Sequence, residues 1–105
     1  MLTDEYRVKI LKRLEQDPEI SQRALAIELG MSLGRANYCL RALMEKGFIK
    51  ANNFKNSRNK KAYAYLLTQK GIVEKARATT RFLDRKIEEY EVLQREIENL
   101  KREVR

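Results

Sequence analysis

The 105-residue chain has no histidine and a single cysteine, Cys39. Without histidine there is no Ser-His-Asp or Cys-His nucleophile and no side chain that ordinarily changes charge near neutral pH. One cysteine excludes an internal disulfide and any multi-cysteine metal site. Cys39 falls at the edge of an apolar helix face, where a free cysteine reads as a small core residue; a redox switch would need an accessible, perturbed thiolate. The carboxylates fall mostly on helix surfaces, with no glycine-rich loop beside them. The expectation is therefore a protein that is not an enzyme and needs no cofactor or metal. No apolar run approaches the ~20 residues of a membrane-spanning helix, and the charged N-terminus has no secretory pattern. These absences point to a reduced, cytoplasmic setting.

Acidic residues are scarce in one place. The net charge is +8, and residues 32–70 hold nine basic residues against one acid, Glu45, while the rest of the chain is balanced. A merely solubilising surface would spread its basic residues over several segments. Clustering of this kind is the footprint of a surface that meets phosphates.

The segment ISQRALAIELGMSLGRANYCLRALMEKG, residues 20–47, reads as two short helices joined by a tight turn. Ser21 and Ser32 are placed to cap helix starts by accepting from free backbone N–H groups. Ile20 and Leu25 have the spacing of a hydrophobic staple. Gly30 and Gly47 stand where each helix must stop, because glycine enters the left-handed region at little steric cost. Ahead of this unit, Tyr6, Ile10, Leu11 and Leu14 recur at helical spacing over 4–16, with Thr3 as cap. The only proline, Pro18, ends that helix by pushing Asp17 out of the helical region. The second helix is expected over 22–29, with Leu25, Ala26 and Leu29 inward and Ile27 exposed. Small Ala26, Gly30 and Ala36 suit close packing of the two helices.

The third helix, over 33–46, turns Ala36, Leu40 and Leu43 inward. At 100° per residue Gly34, Tyr38, Arg41 and Glu45 point the other way, with Arg35 and Asn37 on the flanks. A hairpin should follow. Its strands are 48–51 and 62–67, and the polar stretch 52–61 between them carries Lys55, Arg58, Lys60 and Lys61 at its tip. Tyr63, Tyr65 and Leu67 share a face by alternation, and both tyrosines are expected to fill the sheet. The remainder reads as one long helix capped by Thr68. Within it Tyr90, Leu93, Ile97, Leu100 and Val104 alternate spacings of three and four, a short heptad seam. Extended backward, the seam takes in Leu83 and Ala76 but meets Lys86, and Ile87 beside it takes over the apolar role.

The expected fold is thus mainly α with a small β-hairpin: a winged helix-turn-helix domain over 1–71 and a C-terminal coiled-coil dimerisation helix over 72–105. The segments ISQRALAIELGMSLGRANYCLRALMEKGFI and FKNSRNKKAYAYLLT, with the Leu67-Thr68-Gln69-Lys70-Gly71 junction, resemble small winged helix-turn-helix transcriptional regulators of the MarR type. The likeness covers about residues 4–75. Length and terminal helix together resemble the short MarR-type regulators associated with bacterial exopolysaccharide (EPS) gene clusters. Larger MarR-type proteins add an N-terminal helix and often bind a phenolic ligand beside it. Here the winged domain starts almost at Met1, so no small-molecule effector is expected and dimerisation falls on the terminal helix.

The chemistry implied is binding of double-stranded DNA. The third helix would enter the major groove, where each base pair shows its own donor and acceptor pattern. Arg41 or Arg35 can take a guanine edge and Asn37 suits an adenine edge; either arginine can equally meet a phosphate or solvent. Tyr38 can meet a thymine methyl or a phosphate, and Gly34 allows close approach. Ser32 with the helix N-terminus, and Gln22 and Arg23 on the second helix, can hold phosphates. Lys55, Lys60 and Lys61 suit backbone phosphates and Arg58 the minor groove. Leu83, Ile87, Tyr90, Leu93, Ile97, Leu100 and Val104 would form the dimer contact, where a parallel pair matches Glu96 with Lys101 of its partner. Two other classes remain: a winged-helix protein-interaction module, and an RNA- or single-strand-binding protein.

Overall fold

The structure is a computed structural model. It describes the backbone of residues 2–55 and 61–105, and the side chains of all of these except 53–55, 61 and 62. Among the described residues six elements follow in order: α1 (Asp4–Gln16), α2 (Gln22–Leu29), α3 (Leu33–Glu45), β1 (Ile49–Lys55), β2 (Lys61–Leu67) and α4 (Gln69–Val104).

Each of the four helices begins at the hydroxyl residue anticipated for it. Thr3, Ser21, Ser32 and Thr68 sit in extended backbone and accept from the N–H three residues on, which satisfies one of the free donors of a first turn. Two helices stop at left-handed glycines, Gly30 at φ 65° and Gly47 at φ 76°. In both, the next residue donates back into the last turn, Met31 to the Ala26 carbonyl and Phe48 to the Leu43 carbonyl, at 3.0 Å each. Gly30 is there for its backbone angle and not for close packing, because a Cβ built on it would meet nothing within 4 Å.

Among the described residues the core is a cluster of Ile10, Leu11, Leu14, Ile20, Leu25, Cys39, Leu40, Leu43, Ile49 and Tyr65. The anticipated stripes of α1 and α3 and the Ile20–Leu25 staple all contribute to it. Ala26 and Ala36 are buried as the two helices come together. Cys39 is fully buried; burial pushes its thiol up, and the nearby Arg35 charge offsets only part of that rise. That chemistry suits packing and not a reactive thiolate.

The hairpin is longer than its polar sequence foretold. Antiparallel pairing runs from Ile49↔Leu67 out to Lys55↔Lys61, so residues 52–55 and 61 belong to strands and not to a loop. In a two-stranded ribbon both faces reach water toward the tip, so polar residues can extend the pairing that the Ala/Tyr alternation of β2 starts. Tyr65 is 4% exposed and fills the core, whereas Tyr63 is 56% exposed and lies stacked on Tyr65 with ring centroids 6.3 Å apart. The shared face outruns the core, which corrects the expectation that both tyrosines are interior.

The start of α4 is tied to the end of α3. The Thr68 N–H donates to the Phe48 carbonyl at 3.0 Å, and its hydroxyl donates to the Gly47 carbonyl. Gly71 then passes so near that an added Cβ would lie 1.9 Å from the Phe48 carbonyl oxygen. Beyond this point α4 packs on α1, with Glu74 and Ala78 buried. Glu74 accepts from Arg7 and, at 3.1 Å, from Arg81. Arg81 also forks onto Asp4 with two 3.1 Å bonds, and Lys75 pairs with Glu15. With 36 residues the helix is about 54 Å long, and from residue 83 onward it is exposed on all sides.

Candidate nucleic-acid interface

Helix α3 carries its polar residues where the 3.6-residue period puts them. With Ala36, Cys39, Leu40 and Leu43 buried, Gly34, Tyr38, Arg41 and Glu45 are exposed, and Arg35 and Asn37 are half-buried on the flanks. The Arg35 guanidinium lies 5.7 Å from the centroid of the Tyr38 ring, an attraction that stiffens two flexible side chains on the outer surface. Gly34 leaves the first turn of α3 open, with nothing within 4 Å of where a Cβ would stand. Ser32 is exposed; its oxygen accepts from the Arg35 N–H at 3.1 Å, leaving its own O–H to donate. The start of α3 therefore offers N–H groups and a hydroxyl to an anion.

On α2, Arg23 is exposed and Gln22 is half-buried. Gln22 does not simply face solvent. Its Oε1 accepts from Asn37 Nδ2 at 3.2 Å, and its Nε2 donates to the Tyr65 hydroxyl at 2.9 Å. Of the wing positions singled out, Lys55 and Lys61 end the paired strands. Arg58 and Lys60 lie outside the described residues, as do the side chains of Lys55 and Lys61.

Charge is distributed unevenly among the described residues. Where α1 meets α2 and α4, cations are matched with carboxylates: Arg7 with Glu74, Arg13 with Glu28, Lys75 with Glu15, and Arg81 and Arg85 with Asp4. Hydrogen bonding from Arg81 holds Asp4 below the usual carboxylate range. Burial pushes Glu74 up, but the Arg7 and Arg81 hydrogen bonds outweigh it and the net shift is downward. Arg23 on α2, Arg41 and Lys46 around α3, and Lys50 on β1 form no ion pair among the described residues. Within the described residues no group of acidic or sulfur side chains is arranged to hold a metal ion, and no helix is long and apolar enough to cross a membrane.

The seam residues of α4 are all exposed, from 42% at Ile97 to 88% at Val104. They lie about a third of a turn around the helix from the face formed by Gly71, Glu74, Ala78 and Arg81. The winged unit and the seam thus use different sides of one helix. Sequence reading missed the Arg7–Glu74–Arg81 cluster. Its one local signal is that Glu74 stands three residues after Gly71 and four before Ala78, on a stripe of small residues that marks close packing.

Three helices, the last two joined by a tight turn, with a two-stranded hairpin after them, define a winged helix-turn-helix fold. Residues 3–50 match the family described as "Winged helix-turn-helix DNA-binding". Among solved structures, the chain is similar to a transcriptional regulator homologue protein from Pyrococcus horikoshii OT3. The identity there is 19% and the TM-score 0.60, over 82% of this chain and 83% of that one. A mutant of MepR from S. aureus aligns at 18% identity and TM-score 0.60, over 97% of this chain and 78% of that one. The PcaV transcriptional regulator from Streptomyces coelicolor, solved with its natural ligand, aligns at 17% and 0.52, over 85% and 70%. At these identities the likeness is one of fold. No curated protein sequence matches the chain.

Proposed function

We propose that this protein is a homodimeric, sequence-specific double-stranded DNA-binding transcriptional regulator of the MarR type, without catalytic activity. The observation that carries this reading is the state of the cations. Among the described residues Arg23, Arg41, Lys46 and Lys50 are exposed and form no ion pair on and beside the helix-turn-helix, in and next to the stretch 32–70 that holds nine basic residues and one acid, while those packed between α1 and its neighbours are neutralised. A cation left unmatched on a folded surface is available to a phosphate or a base edge. The solved structures similar in fold include two described as a transcriptional regulator or its homologue, which favours this reading over an assembly scaffold.

In this reading α3 lies in the major groove with Arg41 or Arg35 toward a guanine edge and Tyr38 toward a thymine methyl or a phosphate. Ser32, Gln22 and Arg23 hold phosphates and Gly34 allows close approach, while the wing reaches phosphates through Lys55, Lys60 and Lys61 and the minor groove through Arg58. The domain 1–71 binds and the helix 72–105 pairs. Control of exopolysaccharide genes is the regulated process that the resemblance to the short MarR-type regulators suggests.

Selection of bound sites from random duplex DNA tests the proposal. A recovered palindrome with half-sites about one helical turn apart is the expected result; equal binding of duplex DNA and single-stranded RNA at one salt concentration would reject it. Within a recovered site, Arg41→Ala should lose about 1–3 kcal/mol of discrimination at one base pair per half-site, read by competition binding.

Pairing through α4 is supported by the apolar stripe from Leu83 to Val104, which is exposed among the described residues. Glu96 and Lys101 stand where a parallel partner matches them. Leu93→Glu combined with Leu100→Glu places like charges in the seam, and light scattering should then report a monomer with an unchanged circular-dichroism melt of the winged domain. A doubly substituted protein that remains dimeric would remove the terminal helix from the interface.

A further inference from the structure

Three side chains from three elements meet beside the outer face of α3: Asn37 of α3, Gln22 at the start of α2, and Tyr65 of β2. The hydrogen bonds run in one direction, Asn37 Nδ2 to Gln22 Oε1 at 3.2 Å and Gln22 Nε2 to the Tyr65 hydroxyl at 2.9 Å. Tyr65 is itself immobilised. It is 4% exposed, its ring stacks on Tyr63, and its backbone N–H donates to the Pro18 carbonyl at 2.8 Å. The far end of this chain of bonds is thus anchored in the core, and the near end is a half-buried amide on the flank of α3.

We infer that Tyr65 and Gln22 are positioning residues that preset the Asn37 amide to read one adenine, so that a core tyrosine of the wing sets base preference without touching DNA. This rests on the DNA-binding reading above. With one Nδ2 hydrogen held by Gln22, Asn37 keeps its Oδ1 and its second N–H for an outside partner. A free Asn amide samples several rotamers; this one is bonded to Gln22, which is bonded in turn to a core tyrosine, so its tilt is held. A side-by-side acceptor and donor is the complement of the adenine N6 amino group and N7 in the major groove. Holding those two groups in place before binding removes the rotamer cost of ordering them on the base.

The experiment compares base preference, position by position, for the full-length parent, Tyr65→Phe, Gln22→Glu and Asn37→Ala on the duplexes recovered by site selection. Tyr65→Phe keeps the ring and its packing but removes the oxygen that Gln22 donates to. It should lower the preference for adenine about tenfold at one base pair per half-site, the same position that Asn37→Ala loses. Binding to unrelated duplex and the salt dependence should stay as in the parent. Gln22→Glu can accept from Asn37 with one oxygen and from the Tyr65 O–H with the other. It should keep the adenine preference while its added negative charge weakens every duplex alike. A merely structural role would not spare Gln22→Glu while relaxing a single position in Tyr65→Phe. The inference is overturned if Tyr65→Phe keeps the parental profile, or if it relaxes all positions together. A parent that binds no duplex DNA would instead overturn the proposed function, and this inference with it.

Discussion

Gly71→Ala should destabilise the fold on the order of 3 kcal/mol, the upper end of what overpacking costs, and lower the melting temperature by about 10–20 °C. The new methyl would stand 1.9 Å from the Phe48 carbonyl oxygen and 2.9 Å from its carbon. Both are backbone atoms and cannot rotate away as a side chain would. Thr68 fixes the same junction from the other side, through the Phe48 carbonyl and the Gly47 carbonyl. Relief therefore requires the first turn of α4 to leave α3, which would also pull Glu74 from Arg7. Gly34→Ala is the paired control in thermal unfolding. Nothing lies within 4 Å of a Cβ there, and replacing a helical glycine with alanine should raise stability by up to about 1 kcal/mol. Equal melting temperatures for Gly71→Ala and the parent would mean that the α3–α4 junction is looser than described.

Glu74→Leu should cost about 3 kcal/mol, because removing one partner of a buried ion pair leaves the other charge uncompensated. Arg7 would be that charge. Its side chain is 14% exposed, its Nε is already buried without a partner among the described residues, and its guanidinium lies 5.5 Å from the centroid of the Phe48 ring. Arg81 would keep its fork onto Asp4 and so lose less. Arg7→Met combined with Glu74→Leu should recover most of the loss, since an apolar pair of similar volume is often as stable as the ion pair it replaces. If the double variant is no better than Glu74→Leu in urea unfolding, the charge pair is not what the single change breaks.

The same cluster sets an acid limit. In the folded chain Glu74 and Asp4 titrate below their ordinary values of 4.5 and 3.8. As pH falls the unfolded chain therefore takes up these protons first, and protonation favours unfolding. The stabilisation is complete above about pH 4.5 and is lost as pH drops through the depressed folded-state values. In Glu74→Leu that part of the acid dependence which belongs to Glu74 should disappear.

How much of this was legible in the sequence depends on how far apart the cooperating residues lie. Helix starts and stops were readable because a cap acts within three residues: Thr3, Ser21, Ser32 and Thr68 each bond the nearby backbone. The inward stripes of α1 and α3 were readable because a helical period repeats within one turn. The outer reach of the hairpin was not, since Asn52 and Asn53 enter a strand only through Ala64 and Tyr63 opposite them. Alternation placed Tyr63 and Tyr65 on one face, yet only the depth of the core decides which of them is covered. At the candidate interface the exposure of Tyr38 and Arg41 followed from the helical wheel. The bonds of Gln22 to Asn37 and Tyr65 did not, because they span 15 and 43 residues and have no short-range signature. The ion pair of Arg7 with Glu74, 67 residues apart, was hidden for the same reason.

Helix α4 grips its own head on one flank and leaves the apolar seam about a third of a turn away, with no break between them. In a pair joined along that seam, each head is keyed to its partner like a cam on a shaft. The azimuth between the two recognition surfaces is then written in the number of residues separating Ala78 from Leu83. One residue more or less after Phe82 would swing each head by about 100°, leaving Glu74 and Arg81 on their partners and moving only Arg85 off Asp4.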